Sequence, residues 1–424
     1  MKRYLTTCLI LLLVQTESAR ADVLTLSRAV DIALANDPVL MAVDSKIADL
    51  KTMPDQVSAL PDPVLSVNAM NLPTDTFDFD QEPMTQLQMT LTQAFPYPGK
   101  RGLKREMADL AATTSEIQQA DYRDALVGQV RATWWDILVS DKALEIIGQN
   151  QKLLEDFIEI ARAKYAVGKG LQQDVLLAQL ELNRLQDREV RVRGLRNSHE
   201  AVLNGLLNQF PDESIVVSED SLNTGLPELQ STGQLFERAL TRKKLLKVHR
   251  QLVKKADLQL NLAEQEKKPD FRLGLGYGVR QDGNTPGQDR PDFVSVMFSM
   301  NLPVYSKRKQ GMQVSQRVAE RATAERLLDD ALRDIRSGIG RRAAEYEAGK
   351  DQSEIMRTRI IPQAEQTVQS MLAGYQVNQV DFLNVINGQL MLYDARISYW
   401  QALGKAKRAL AKLAATVGEE TLYE

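Results

Sequence analysis

The sequence predicts an α+β membrane protein built from two structural repeats, in which two pairs of β-strands alternate with long α-helices, and three observations carry that reading. First, an ungapped shift of 210 residues lays Tyr375–Leu392 on Tyr165–Leu182 with six identities in eighteen positions, where chance gives roughly one. Second, a shift of 207 lays Val294, Val296, Phe298 and Leu302 on Leu87, Met89, Leu91 and Phe95, and Pro303, Lys307 and Arg308 on Pro96, Lys100 and Arg101. Third, no proline interrupts Leu103–Ala166, so a helix there runs on the order of 100 Å, beyond the span of a compact domain. Such a helix belongs in a coiled or tubular assembly.

The elements follow in order. Residues 1–21 read as a secretory signal: Lys2 and Arg3 form the basic region, Leu5–Val14 the apolar one, and Ala19-Arg20-Ala21 the cleavage site. Cys8 follows the wrong residue for a lipid anchor, since Thr7 stands before it. The first repeat, 22–210, opens with a helix from Leu24 to about Leu60 that starts on Thr25 or Ser27 and breaks near Asn36-Asp37-Pro38. A strand pair fills 64–95, a long helix follows, the hairpin turns at 165–171, and a helix with apolar residues at 3-4 spacing closes the unit. Residues 211–233 read as a linker with a short strand at Ile215–Val217. The second repeat, 234–416, has a continuous helix to about Glu266, a strand pair at 271–302, a long helix interrupted at Pro362, and a hairpin at 375–381. Its last helix has a seam of small residues, Val385, Gly388, Leu392, Ala395, Tyr399, Ala402, Ala406, Ala409 and Leu413, that suits close helix approach. Residues 417–424 form a C-terminal tail.

Composition narrows the function. Removing residues 1–21 leaves 50 basic and 55 acidic residues, a net charge of −5, with no basic footprint for nucleic acid. The mature chain has no cysteine and only His199 and His249 as imidazoles, so thiol chemistry is excluded and zinc or acid–base chemistry has few candidates. No catalytic arrangement, cofactor motif or metal cluster emerges. With 43% hydrophobic residues the chain can bury a large core, yet after the signal no run reaches eighteen apolar residues. A membrane span therefore has to be made of strands. Phe271–Arg280 has the clearest pattern: Phe271, Leu273, Leu275, Tyr277 and Val279 alternate with Arg272, Gly274, Gly276, Gly278 and Arg280, one face for lipid and one for a lumen. Four strands cannot close a barrel, and lipid tolerates no open sheet edge. Two chains give a filled eight-stranded barrel and three give twelve strands with a passage, so the expectation is a homotrimer.

At this point the residues resemble a known family. LTLSRAVDIALANDPVL, LTQAFPYPGKRGLKRE, YAVGKGLQQDVLLAQLEL and RIIPQAEQTVQSMLAGYQVNQVDFLNVINGQL together are similar to the TolC-like outer-membrane efflux ducts, and among them to the CzcC and CusC type of heavy-metal outlet. The resemblance implies a trimeric 12-stranded outer-membrane β-barrel, four strands per chain, continuous with a long periplasmic α-helical barrel. It also implies a closed tip that meets a periplasmic adaptor coupled to an inner-membrane RND-type pump. In that family a network at the hairpin tips keeps the tube shut, and Asp174 and Tyr375 fall on its aspartate and tyrosine positions. Asn384 and Asn387 stand where TolC has aspartates, which weakens the case for strong cation preference.

Each candidate has a plainer structural reading beside it. Asp174, Tyr375, Asn384 and Asn387 are gate residues or ordinary helix-start residues, and a hydrogen bond from the Tyr375 hydroxyl to Asp174 is the expected latch. Lys100-Arg101 and Lys307-Arg308 are solvated basic turns or anchors reaching lipid headgroups, with Phe95, Tyr97, Phe271 and Tyr305 as an aromatic girdle. Gly274-x-Gly276-x-Gly278 is no phosphate loop, because the strand pattern runs through it and no helix follows. Trp134-Trp135 and the scattered methionines read as packing, and His199 as a seam residue. The function implied is a passive exit duct, with heavy-metal cations among the possible cargoes. The competing class is a soluble periplasmic adaptor or coiled-coil scaffold, which shares the signal and long helices but has no use for four strands with one apolar face.

Overall fold

A computed structural model describes residues 23–218, 223–283, 287, 289–377 and 379–423. The signal sequence, its cleavage motif and Cys8 lie outside the described residues, as do parts of the linker and of the loop before the fourth long strand. In order, the elements are β1 (Val23–Leu24), α1 (Leu26–Asn36), α2 (Pro38–Ser58), β2 (Val64–Met70), β3 (Gln86–Phe95), α3 (Lys100–Ala166), α4 (Gln172–Leu207) and β4 (Val216–Val217). The second half gives α5 (Thr232–Arg242), α6 (Lys244–Gln265), β5 (Phe271–Val279), β6 (Phe293–Met300), α7 (Gln310–Ile355), a π turn (Met356–Ile360), α8 (Ile361–Gln376) and α9 (Phe382–Val417). The chain divides into two compact units, and α3, α7 and α9 each contribute to both.

One unit, Pro38–Ala125 with Leu229–Ala343 and Leu413–Glu424, holds a four-stranded antiparallel sheet in the order β2-β3-β5-β6. Its register sorts side chains by face, because strand residues alternate. One row across the sheet is Leu65–Leu91–Leu275–Val296 and the next is Val67–Met89–Tyr277–Val294, and all eight residues are exposed. The opposite face has the row Ser66–Thr90–Gly276–Ser295. The three glycines of β5 are buried because the polar side chains of β3 lean over them: a Cβ on Gly276 would lie 3.0 Å from Gln88 Nε2 and 3.2 Å from Thr90 Oγ1. Arg280 and Arg290 join the two strand-connecting loops, donating to Pro83 O at 3.0 Å and to Asp80 O at 3.1 Å. Away from the sheet, Leu235, Ala239, Leu246, Ile335, Ile339, Leu413 and Val417 form an apolar core.

The continuous helix expected over 234–266 is broken at Lys243, whose backbone is extended at φ −63° and ψ 116°. Asp37 breaks the first repeat at φ −67° and ψ 118°, and there Pro38 announces it. At Lys243 the break is set by tertiary contacts instead: its ammonium pairs with Asp121 at 2.7 Å and donates to Ala415 O at 3.2 Å. The Leu245 amide, left free by the break, donates to the Asp121 carboxylate at 3.0 Å.

The other unit contains Leu126–Glu228, Ala344–Lys412 and the residues before Pro38. Its core joins Ile147, Leu154 and Phe157 of α3, Ala178 and Leu185 of α4, and Phe382, Val385, Ile386 and Tyr393 of α9. The small seam of α9 is buried as expected, with Ala402, Ala406 and Ala409 all inside. The interruption at Pro362 takes the form of the π turn, where the Ile361 amide donates to Met356 O, five residues back. Trp134 and Trp135 are buried edge to face at 5.7 Å, and the Trp134 indole donates to Leu24 O at 3.3 Å. β1 and β4 pair in parallel, which ties the linker to the N-terminus of the described chain. Arg196, an apparent interruption of the α4 seam, forms a network with Asp141 at 2.6 Å, Glu200 at 2.8 Å and Ile215 O at 2.7 Å.

The linker is also strapped to the helices: Lys407 donates to Gly225 O at 2.7 Å and Tyr346 to Pro227 O at 2.6 Å. Burial holds the Lys407 ammonium down to a pKa of about 8. The folded chain therefore binds this proton less tightly than the unfolded chain, whose lysine titrates near 10.5. Stability should rise with pH across roughly 8 to 10.5, and Lys407→Met should remove that rise, worth on the order of 3 kcal/mol. Urea titrations of both proteins at pH 7.5 and 10 check it; parallel pH dependences would refute it.

Candidate functional site

The hairpin tips are built by the same backbone bonds twice. Lys169 N donates to Lys164 O at 2.9 Å and Gln379 N to Gly374 O at 2.8 Å; Asp174 N donates to Leu171 O and Asn384 N to Asp381 O, both at 3.1 Å. All four positions obey the shift of 210 residues. Gly168, at φ +68°, makes the first turn in a conformation that residues with a Cβ adopt reluctantly. The close contact inside each turn is also kept, with its members exchanged. A Cβ on Gly170 would lie 3.0 Å from Lys164 Cβ, and a Cβ on Gly374 would lie 2.5 Å from Val380 Cγ2. Lys164 corresponds to Gly374 and Gly170 to Val380, so the large residue changes sides and the turn stays the same.

The expected latch is not what holds the two tips together. The Tyr375 hydroxyl makes no hydrogen bond to Asp174 among the described residues; the Asp174 carboxylate accepts from the Leu171 amide at 3.4 Å, as a residue in the first turn of α4 does. Asp174 does stand near enough that burial first, and its negative charge second, raise the pKa of the Tyr375 phenol. Lys164 makes the contact instead, donating to Tyr375 O at 3.1 Å with its ammonium 3.7 Å from the centre of the tyrosine ring. Tyr375 also packs on Phe382 at 5.5 Å, and Phe382 on Phe157 at 6.2 Å.

Further from the tips, two more links join the hairpins. Gln389 donates to Asn150 at 2.8 Å, both buried, and Arg188 pairs with Asp394 at 3.0 Å while lying 5.2 Å from the Tyr393 ring. Gln389 is one of the identities of the repeat, a signal that pointed to the position without naming its partner. Asn384 and Asn387 are exposed on α9, and the structure does not bring them onto Asp174 or Tyr375 by any hydrogen bond among the described residues. His199 is half-buried with its Nδ1 unpartnered, on the wall of a cleft of about 430 Å³.

At the strand–helix junctions the two basic pairs are not equivalent. The side chain of Lys100 is only 3% exposed, pairs with Asp270 at 2.9 Å and donates to Lys268 O at 3.2 Å. Arg101 Nε donates to Ser58 O at 2.6 Å at the end of α2. Lys100 is not free to reach a headgroup, which corrects the anchor reading for it, whereas half-buried Arg101 is tied to α2 through its Nε. Lys307 and Arg308 lie exposed in a turn. The cause is visible in the two shifts: Pro96 and Pro303 differ by 207, but α3 and α7 start at Lys100 and Gln310, which differ by 210. Three residues are therefore added between Pro303 and Gln310, and Lys307-Arg308 belongs to the addition. Phe95 and Phe271 are cross-strand partners, Tyr97 lies 6.5 Å from Phe271, and Phe298, which the sequence placed in the repeat but not in the girdle, stacks on Phe271 at 6.0 Å. Lys268 covers the Tyr97 ring at 4.8 Å, whereas Tyr305 stands out at 76% exposure.

Residues 29–209 match the family described as outer membrane efflux protein. The cobalt-zinc-cadmium resistance protein CzcC of Cupriavidus metallidurans is 18% identical over 398 residues, covering 94% of this chain and 91% of the relative. The outer membrane protein VceC of Vibrio cholerae has a crystal structure that aligns with a TM-score of 0.76 at 15% identity, over 94% of this chain and 97% of that one. CusC, solved in a study of folding and transmembrane channel formation, aligns with a TM-score of 0.72 at 15% identity, over 93% of this chain and 92% of that one. At these identities the structural likeness is one of fold.

Proposed function

We propose, from a chain whose residues 29–209 match the outer membrane efflux protein family, that three copies form the exit duct of a tripartite efflux system. The observation that carries this reading is the sheet of β2, β3, β5 and β6. Its apolar face is uncovered, its edge strands β2 and β6 have no partner among the described residues, and no described helix is long and apolar enough to cross a membrane. A sheet of that kind is stable in lipid only when its edges are paired, and three copies supply twelve strands around a passage. The glycines of β5 and the Ser–Thr rows then face the lumen. Exposed Lys307, Arg308 and Tyr305, and the Phe95, Tyr97 and Phe271 cluster at the ends of β3 and β5, then mark the boundary with lipid headgroups. Extraction of a heat-modifiable trimer from outer-membrane fractions supports the reading; recovery as a soluble monomer would sink it and favour the adaptor or scaffold.

The helical hairpins form the periplasmic end, where an adaptor and an RND-type pump deliver cargo. Lys164, rather than Asp174, holds the first hairpin to the second within a protomer. Because it grips a carbonyl and a ring face, Tyr375→Phe should leave conductance unchanged, whereas Lys164→Ala should raise single-channel conductance and admit large antibiotics. A charge-assisted bond and a cation–π contact together are worth about 2 to 4 kcal/mol in each of three copies. Equal conductance of Lys164→Ala and wild type would place the latch elsewhere. Divalent cations are the cargo that the name of the CzcC relative supports. Loss of cobalt, zinc or cadmium resistance on deletion of the gene tests that reading.

A further inference from the structure

We propose that one face of α9 is the cargo-facing line of the duct, and that Lys405 on it makes the duct favour anionic and neutral cargo over free cations. The inference rests on the duct reading and adds the chemistry of its wall. Asn384, Asn387, Met391, Asp394, Ser398, Gln401 and Lys405 follow one another at spacings of three and four, so they share a single face. That face is open, with only Ser398 half-buried, while the rows on either side are buried: Val385, Leu392, Ala402 and Ala406 on one flank, Tyr393, Ile397 and Gly404 on the other. A helix buried on both flanks presents its remaining stripe to water or to a partner. This stripe is no packing seam, because amides and hydroxyls dominate it and Met391 is its one large apolar residue. It also differs from an ordinary solvated surface. Between Arg184 and Arg193 the exposed face of α4 has five charges, Arg184, Asp187, Arg188, Arg191 and Arg193, whereas from Gln366 to Tyr393 the second hairpin has one, Asp381.

The few charges near the stripe are mostly cancelled. Asp394 pairs with Arg188 at 3.0 Å, and Arg408, one turn beyond Lys405, pairs with Asp136 at 2.7 Å. Asp381 stands at the N-terminus of α9, where the helix dipole offsets about half a charge. Lys405 is exposed and has no ion-pair partner among the described residues. It lines the cleft of about 430 Å³ together with Gln401, Arg408, His199 and Gln352, so the wall around it is basic or neutral apart from the paired Asp136. A ring of three unpaired ammonium groups concentrates anions locally and repels multivalent cations. Any choice of metal cation then lies with the pump and adaptor, and the duct releases cargo whose charge is masked or negative.

The mature chain is free of cysteine, which makes Ser398→Cys a clean reporter. In planar bilayers under a salt gradient, the trimer and its Lys164→Ala variant should show a reversal potential of the anion-preferring sign, and Lys405→Glu should move it toward cations; a potential of zero in the wild type would overturn the proposal. At low ionic strength an anionic methanethiosulfonate should block current through Ser398→Cys roughly tenfold faster than a cationic one, and Lys405→Glu should reverse the order. Strong cation preference of the wild type, indifference of the potential to Lys405→Glu, or labelling of Ser398→Cys without loss of current would each overturn the proposal while leaving the duct intact. Absence of channels from both the trimer and Lys164→Ala would overturn the duct reading itself.

Discussion

Leu275→Arg is expected to keep the protein from assembling in the outer membrane, while Gly276→Arg, one residue away, is expected to assemble and conduct less. Leu275 lies in the middle of the exposed row Leu65–Leu91–Leu275–Val296, near the centre of each strand. A guanidinium there costs about 2 to 4 kcal/mol at the bilayer midplane, and a trimer bears that cost three times. Gly276 belongs to the opposite row, among Ser66, Thr90 and Ser295. A Cβ there meets the ends of Gln88 and Thr90 at 3.0 and 3.2 Å, and both are side chains able to swing aside. The new arginine then hydrogen-bonds among polar neighbours and narrows the passage. Heat-modifiable mobility reads assembly and bilayer conductance reads the lumen. Equal loss of assembly in both variants would mean that the two faces of the sheet are assigned the wrong way round.

How much of this was legible beforehand depends on whether a feature is local. The alternation of β5, the hairpin turn within 165–171 and the break before Pro38 are written in neighbouring residues, and the structure has them where the sequence placed them. The break at Lys243 is not, because no proline or glycine marks it and its cause is Asp121, more than a hundred residues away. The same distance effect hid the contact between the tips. The repeat drew attention to Asp174 and Tyr375, yet Asp174 satisfies the start of its own helix and Lys164, one residue before the conserved-register tyrosine of the first copy, reaches across. At the junctions the two repeat shifts, 207 and 210, already contained the answer. Their difference is the three-residue addition that leaves Lys307-Arg308 exposed and buries Lys100, and it shows only once helix starts are known.

Gly349→Ala should destabilise the protein and Gly148→Ala should stabilise it, although both exchange a helical glycine for the best helix former. Both residues lie in the unit that contains the hairpins. A Cβ on Gly148 has nothing within 4 Å, so the exchange gains up to about 1 kcal/mol of helix propensity at no steric cost. A Cβ on Gly349 would lie 2.9 Å from both Ala402 O and Ala406 N and 3.1 Å from Ala406 Cβ. Two of those three atoms are backbone inside α9, so no rotamer change relieves the clash and α7 has to move off the helix. Over-packing of this kind costs about 1 to 3 kcal/mol, more than the propensity gained, and Gly349→Leu should cost more still. The consequence reaches the proposed duct wall, since Ala402 and Ala406 flank the stripe that ends at Lys405, and displacing them turns that stripe away from its line. Thermal melts followed by circular dichroism should therefore shift in opposite directions for the two alanine variants. A rise in Tm for Gly349→Ala would show that α7 and α9 are not in backbone contact there, and that the small seam of α9 packs against something else.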